Sequence, residues 1–207
     1  MGLTSKQYGR TILAMSTACP QILAIVYSDG LAADRFISDL GYALRDAGIA
    51  IAGLVQHNAF LRDRTKCNME LEELASGRVL QLSEDRGREA RGCRLDRAAL
   101  AEAAALLTSS VRNGATPELV ILNKFGKLEA EGGGLRDPLA DIVELGIPIL
   151  VGVPYRNVEQ WRAFAQDMAG ECPVGSAGVH EWLYRQGFRI NQDAAGPADL
   201  SATTNND

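Results

Sequence analysis

At 207 residues, with 46% hydrophobic and 23% charged residues, the chain has the size and make-up of one globular domain with a full core. A net charge of -5 argues against a general binder of nucleic acid or of anionic membrane surfaces. No apolar run approaches the roughly 20 residues that cross a bilayer, so no membrane insertion is expected.

Residues 1–19 read as a flexible N-terminal segment. Lys6 and Arg10 precede an apolar stretch too short and too polar for a signal peptide, and a natural start at Met15 is the simpler account. Residues 21–27, "QILAIVY", form an apolar, β-branched run suited to a strand buried on both faces. From Ala32 to Ala47 the apolar residues recur at helical spacing, and Gly48 stops the helix. "IAIAGLVQ", 49–56, is a second buried strand, which makes a strand–helix–strand unit with parallel strands.

The pattern then changes. Residues 67–84 read as an inserted β-hairpin around "ASG". A basic loop, "RGREARGCRLDR", leads into an alanine-rich helix over about 97–112, with Asp96 placed as its N-cap. "PELVILNKFG", 117–126, is the third buried strand with its exit loop. "LRDPLADIVELG" reads as a helix, "IPILVGV" as a strand, "NVEQWRAFAQDMAG" as a further helix and "VHEWLYRQGF" as a short last one. Residues 20–190 thus form a single three-layer α/β domain with a mainly parallel sheet, and 191–207 a disordered tail.

Ligands of open α/β sheets bind beyond the carboxyl ends of the strands. Three segments are expected to meet there: the turn from Ser28 to Arg35, the Gln56-His57-Asn58 exit of the second strand, and "NKFGKLEAEGGG". In the turn, Ser28, Asp29 and Gly30 open a helix whose free N–H groups attract anions. A tight connection capped by Asp29 explains the same residues equally well. After the third strand, Asn123 and Lys124 stand where a magnesium-binding proteins of the P-loop class carries an acidic residue. Lys124 and Lys127 are candidate anion ligands, Glu129 a candidate for orienting a lysine or a water, and Gly132–Gly134 a loop able to wrap a ligand. Arg91 and Arg94 flank Cys93 in the basic loop, a setting that favours oxyanion contact and a thiolate, and a solvated loop around a small buried cysteine is the alternative reading.

Four dispersed cysteines without a CxxC pair predict reduced thiols and a cytoplasmic protein, and two histidines are too few for a histidine-rich metal site. His57 has the better position of the two, although a polar loop residue is the simpler reading.

"AIVYSDG", "AGLVQ", "LASGRVLQLSED", "ARGCRLD" and "LVILNKFGKLEAEGGGLRD" together resemble a bacterial family of NTPase-like proteins of unassigned function, found beside molybdate-uptake and molybdenum-enzyme genes. The resemblance covers about residues 20 to 155. More remotely, the chain is similar to the small P-loop nucleoside-triphosphatases first typified by a thermophile enzyme, which carry an acidic motif I-D-E-I-G-x-M-E. "LNKFGKLE" lies in that place, with Gly126 and Glu129 retained and Asn123 and Lys124 replacing the acidic pair. The "SDGLAAD" turn lacks the P-loop's glycines, lysine and Ser/Thr, so the phosphate loop is degenerate. The resemblance implies a P-loop-NTPase-like fold with Mg–NTP hydrolysis impaired. It points to a small anionic ligand: molybdate, tungstate or their condensed clusters, with a nucleotide as the other class. An active triphosphatase or phosphotransferase, and an accessory interaction module for molybdenum-enzyme maturation or transport, are the alternatives. An exposed hairpin edge also predicts a homo-oligomer.

Overall fold

The structure is a computed structural model that describes residues 19–60, 67–84, 94–113 and 115–189. In chain order the elements are β1 (Ile22–Tyr27), α1 (Gly30–Asp46), β2 (Ile51–Phe60), β3 (Cys67–Glu73), β4 (Arg78–Gln81), β5 (Ser83–Glu84), β6 (Arg94–Leu95) and α2 (Arg97–Arg112). There follow β7 (Leu119–Leu122), α3 (Lys127–Ala130), α4 (Arg136–Glu144), β8 (Ile149–Pro154), α5 (Val158–Ala165), β9 (Ala169–Pro173) and α6 (Ala177–Arg185).

Seven strands form one sheet in the order β4-β3-β2-β7-β8-β1-β9, and β5 and β6 make a separate two-stranded ribbon. From β2 to β9 across the sheet every pairing is parallel; the hairpin β3–β4 adds the antiparallel edge. The strands are apolar on both faces because helices cover both. Ala52, Leu54, Val120, Leu122 and Val151 pack against Leu107 of α2, Leu139 and Ile142 of α4 and Trp161 of α5. The alternate positions Leu23, Ile25, Ile51, Val55, Leu119 and Ile121 pack against Ile37 and Leu44 of α1 and Trp182 of α6. The period-two alternation of each strand therefore feeds two separate cores. The fold is the three-layer α/β arrangement expected.

Asp96 caps α2 through its Oδ1, which accepts from Ala98 N–H at 2.8 Å and Ala99 N–H at 3.1 Å. Gly53 at φ +142° occupies a place that no side chain fits, since a Cβ there would lie 2.0 Å from the carbonyl oxygen of Ile121 on β7.

Three expectations need correction. β2 continues to Phe60 instead of ending at Gln56, because its second half gains a new neighbour: Leu54–Phe60 pairs antiparallel with Cys67–Glu73. Gln56, His57 and Asn58 are thus inside a strand. The helix expected to run to Gly170 stops at Ala165, where Gln166 turns to φ +48°, and Ala169–Pro173 becomes the edge strand β9 beside β1. Part of the basic loop is strand as well, since Arg94–Leu95 pairs with Ser83–Glu84. The N-terminal segment before Cys19 and the tail from 191 lie outside the described residues.

Candidate functional site

The loop after β7 is fixed by its neighbours on both sides. Asn123 N–H donates to Leu54 O at 2.9 Å and Phe125 N–H to Gly152 O at 2.8 Å, so the backbone stays bonded to β2 and β8 beyond the strand's end. The Nδ2 of Asn157 donates to Phe125 O at 3.1 Å. Phe125 is buried and meets Trp161 edge-on at 5.2 Å between ring centroids. With Phe125 anchored, the Lys124 between them is displayed, half-buried, at the carboxyl edge of the sheet. Its Nζ lies 3.7 Å from Asp34 Oδ1, and Nδ2 of Asn123 donates to that same oxygen at 3.0 Å.

Glu129 is bound to backbone in place of a lysine. Both its oxygens are taken by backbone: Oε2 accepts Gly126 N–H and Oε1 accepts Leu135 N–H, each at 2.9 Å. The side chain is 6% exposed and closes the glycine loop from within. Gly134, at φ +62°, makes that possible, because a Cβ there would lie 2.1 Å from Glu129 Oε1. Lys127 is largely exposed and pairs with Glu131 at 3.6 Å.

The turn after β1 is capped by its own aspartate. Asp29 Oδ1 accepts Leu31 N–H at 2.9 Å and Ala32 N–H at 3.2 Å, which spends two first-turn donors of α1 internally. Ser28 and Gly30 instead line a cavity of about 300 Å³ with Tyr27, Lys124, Pro154, Tyr155 and Arg156. The Tyr27 hydroxyl is buried with no hydrogen-bond partner among the described residues. Burial pushes the phenol above its ordinary pKa, the nearby Asp34 charge adds to that, and Arg156 opposes it. Two cations that follow two strands and Ser28 therefore line one small space, with the buried Tyr27 in its wall. Arg156 was not singled out in the sequence. It follows β8 without any motif, and only the β7–β8–β1 adjacency brings it to Lys124.

Lys124 and Arg156 also line a larger cavity of about 550 Å³, together with Gln56, Asn123, Gly126, Lys127 and Glu129. Gln56 and the loop after β7 do meet there. His57 does not join them, because adjacent strand residues point to opposite faces. Its Nε2 lies 3.0 Å from both Tyr42 Oη and Glu72 Oε2 on the α1 side of the sheet. Tyr42 Oη donates to Glu72 Oε2 at 2.5 Å, and burial followed by that hydrogen bond holds the phenol above its ordinary pKa. Arg91 and Cys93 lie outside the described residues; Arg94 is placed by its backbone in β6.

Residues 22–182 match the family described as "Protein of unknown function (DUF2478)". The chain belongs to that family. Over 146 residues it is 35% identical to a Bradyrhizobium diazoefficiens protein named "Molybdenum import ATP-binding protein ModC 2". That match takes in 70% of this chain and 16% of the relative, so the chain spans about a sixth of the relative's length. Among solved structures, THEP1 from the hyperthermophile Aquifex aeolicus aligns with a TM-score of 0.56 at 12% identity, over 81% of this chain and 96% of that one. A human cancer-related nucleoside triphosphatase aligns with a TM-score of 0.54 at 16% identity, over 80% and 94% of the two chains. At such identities the likeness is one of fold: this family member has the P-loop-NTPase-like scaffold. Among its described residues no helix is long and apolar enough to cross a membrane. Nor does any group of three or more His, Cys, Asp or Glu among them have a metal-holding arrangement.

Proposed function

We propose that the chain binds oxyanions at the carboxyl ends of β1, β7 and β8, with molybdate and tungstate as the ligands, and that it serves in their handling or storage. The observation that carries this is the joint presence of Lys124, Arg156, Ser28 and the unpartnered Tyr27 hydroxyl around one cavity of about 300 Å³. A tetrahedral oxyanion offers only acceptors, and Lys124, Arg156 and the Ser28 hydroxyl supply positive charge and donors to meet them. Hydrogen bonds between ionised partners are the strong ones, and Arg adds two parallel donors. The choice of metal oxyanion is supported by the relative's name, which refers to molybdenum import.

Mg–NTP hydrolysis has less support. The turn after β1 offers no lysine, two of its helix N–H groups are spent on Asp29, and Asn123 follows β7 in place of a carboxylate. An amide offers magnesium a neutral oxygen and leaves the phosphate charge uncompensated.

The test is thermal unfolding of the purified chain with molybdate, tungstate, sulfate or Mg–ATP. A ligand at a hundred times its Kd stabilises by about 2.7 kcal/mol. Molybdate and tungstate are expected to raise the melting temperature, and Lys124→Met and Arg156→Met each to cut the shift by more than half. No shift with any oxyanion overturns the proposal, and phosphate release from Mg–ATP that Lys124→Met removes would replace it with the triphosphatase reading.

A further inference from the structure

The larger cavity shares Lys124 and Arg156 with the smaller one, so the two open on a common cationic junction. Its other walls combine charged residues, among them Arg97 and Glu131, with a larger apolar surface. Met69 and Leu71 come from the hairpin, Leu100 from α2, Leu128 from α3 and Leu135 from the end of the glycine loop. An inorganic oxyanion fills a small part of about 550 Å³ and makes no use of such walls. Sites for small organic molecules commonly enclose roughly 300–1,000 Å³, are mostly apolar, and carry a few polar groups that fix orientation. Apolar surface gains about 25 cal/mol for each Å² removed from water, so these side chains reward an apolar body and not an ion. Asn123 lines this cavity too; it is 2% exposed, and its buried Oδ1 has no donor among the described residues.

We infer that the two cavities form one bipartite site for a small organic oxyanion. The anionic head sits at Lys124 and Arg156, and an apolar body of one or two rings lies between the hairpin and the glycine loop. The head half rests on the oxyanion reading above; the body half rests on the larger cavity alone.

Calorimetric titration of the full chain with a matched series separates the halves: sulfate, benzenesulfonate, naphthalene-1-sulfonate and the uncharged naphthalene-1-sulfonamide. Affinity is expected to rise at least tenfold from sulfate to naphthalene-1-sulfonate and to fall about tenfold for the sulfonamide. Met69→Gln and Leu128→Gln each place an amide in the apolar wall, on opposite sides. Either is expected to erase most of the gain, with the fold checked by far-UV circular dichroism. If sulfate and molybdate bind but the naphthyl body adds less than twofold, the bipartite site is overturned while the oxyanion reading stands. Equal affinity for the sulfonate and the sulfonamide overturns it also, since the junction is then unused. If naphthalene-1-sulfonate binds, loses its affinity in Lys124→Met, and no inorganic anion binds, the bipartite site stands and the inorganic-oxyanion reading falls.

Discussion

Glu129 and Asp34 are each 6% exposed and lie at the same end of the sheet, yet their partners are of different kinds. Glu129 accepts two backbone N–H groups and holds the glycine loop shut. Asp34 faces the side chains of Asn123 and Lys124, both of which line the larger cavity. Glu73, fully buried, belongs with Glu129: it accepts from Ala75 N–H, Ser76 N–H and the Ser76 hydroxyl. A carboxylate whose oxygens are spent on amides fixes a loop whatever the ligand is, whereas one that faces a displayed lysine sets the charge a ligand meets. The Gly126 and Glu129 pair shared with the triphosphatase motif is thereby accounted for by loop geometry. No metal role is needed to explain it.

The comparison is broken most directly by stability. Glu129→Ala leaves the N–H groups of Gly126 and Leu135 without acceptors, at about 1–3 kcal/mol for each group that stays dry. Urea unfolding should show a loss of about 3 kcal/mol, against about 1 kcal/mol for Asp34→Ala. Equal losses would mean that both carboxylates are structural. The cavity cations should behave in the opposite way. Lys124→Met and Arg156→Met are each expected to weaken oxyanion binding by about 2 kcal/mol while changing unfolding free energy by less than about 1 kcal/mol.

A charge swap sharpens the contrast. Asp34→Asn keeps an oxygen for the Asn123 amide but removes a negative charge beside Lys124, so oxyanion affinity should rise by about 1 kcal/mol. Glu129→Gln should leave that affinity within about 0.5 kcal/mol. Calorimetric titration reads both. The smallest effect is expected from Tyr27→Phe, which removes a hydroxyl with no partner in the described fold and should shift stability at pH 7 by less than about 1 kcal/mol. Its signature lies in alkali. The folded phenol has its pKa raised by burial, so its contribution is intact below about pH 10 and is lost as pH rises beyond that value. Tyr27→Phe should accordingly flatten the decline in stability above pH 10, which denaturation at several pH values would follow.

The elements of the fold were legible wherever burial leaves a periodic trace. The runs at 22–27, 119–122 and 149–154 read as buried strands, and Asp96 announced α2 by its position alone. β9 was not legible because "AGECP" lies at the sheet's edge, largely exposed, and carries no apolar run. The length of β2 was hidden for a related reason: "QHNAF" is held in strand form by pairing with β3 rather than by its own pattern. Of the site, Lys124, Asn123, Ser28 and Gly30 could be named from their places at strand ends. Arg156 could not, since a lone arginine after a strand acquires meaning only from strand order. The misplacement of His57 came from treating a strand residue as a loop residue, which hid the side of the sheet it faces.

β2 changes partner within its length: Ile51–Leu54 is bonded to β7, and from Leu54 onward its ladder is with β3. The hairpin is thus joined to the parallel sheet through β2 and packed under α2, whose Leu100 and Leu107 share a core with Leu71 and Leu80. Leu54, the residue common to both ladders, also accepts the N–H of Asn123, next to Lys124. The ladder that pairs Gln56 with Leu71 and Asn58 with Met69 therefore ends at the residue whose carbonyl holds Asn123 beside Lys124. One short stretch of backbone thus connects the hairpin wall of the larger cavity with the lysine that both cavities share.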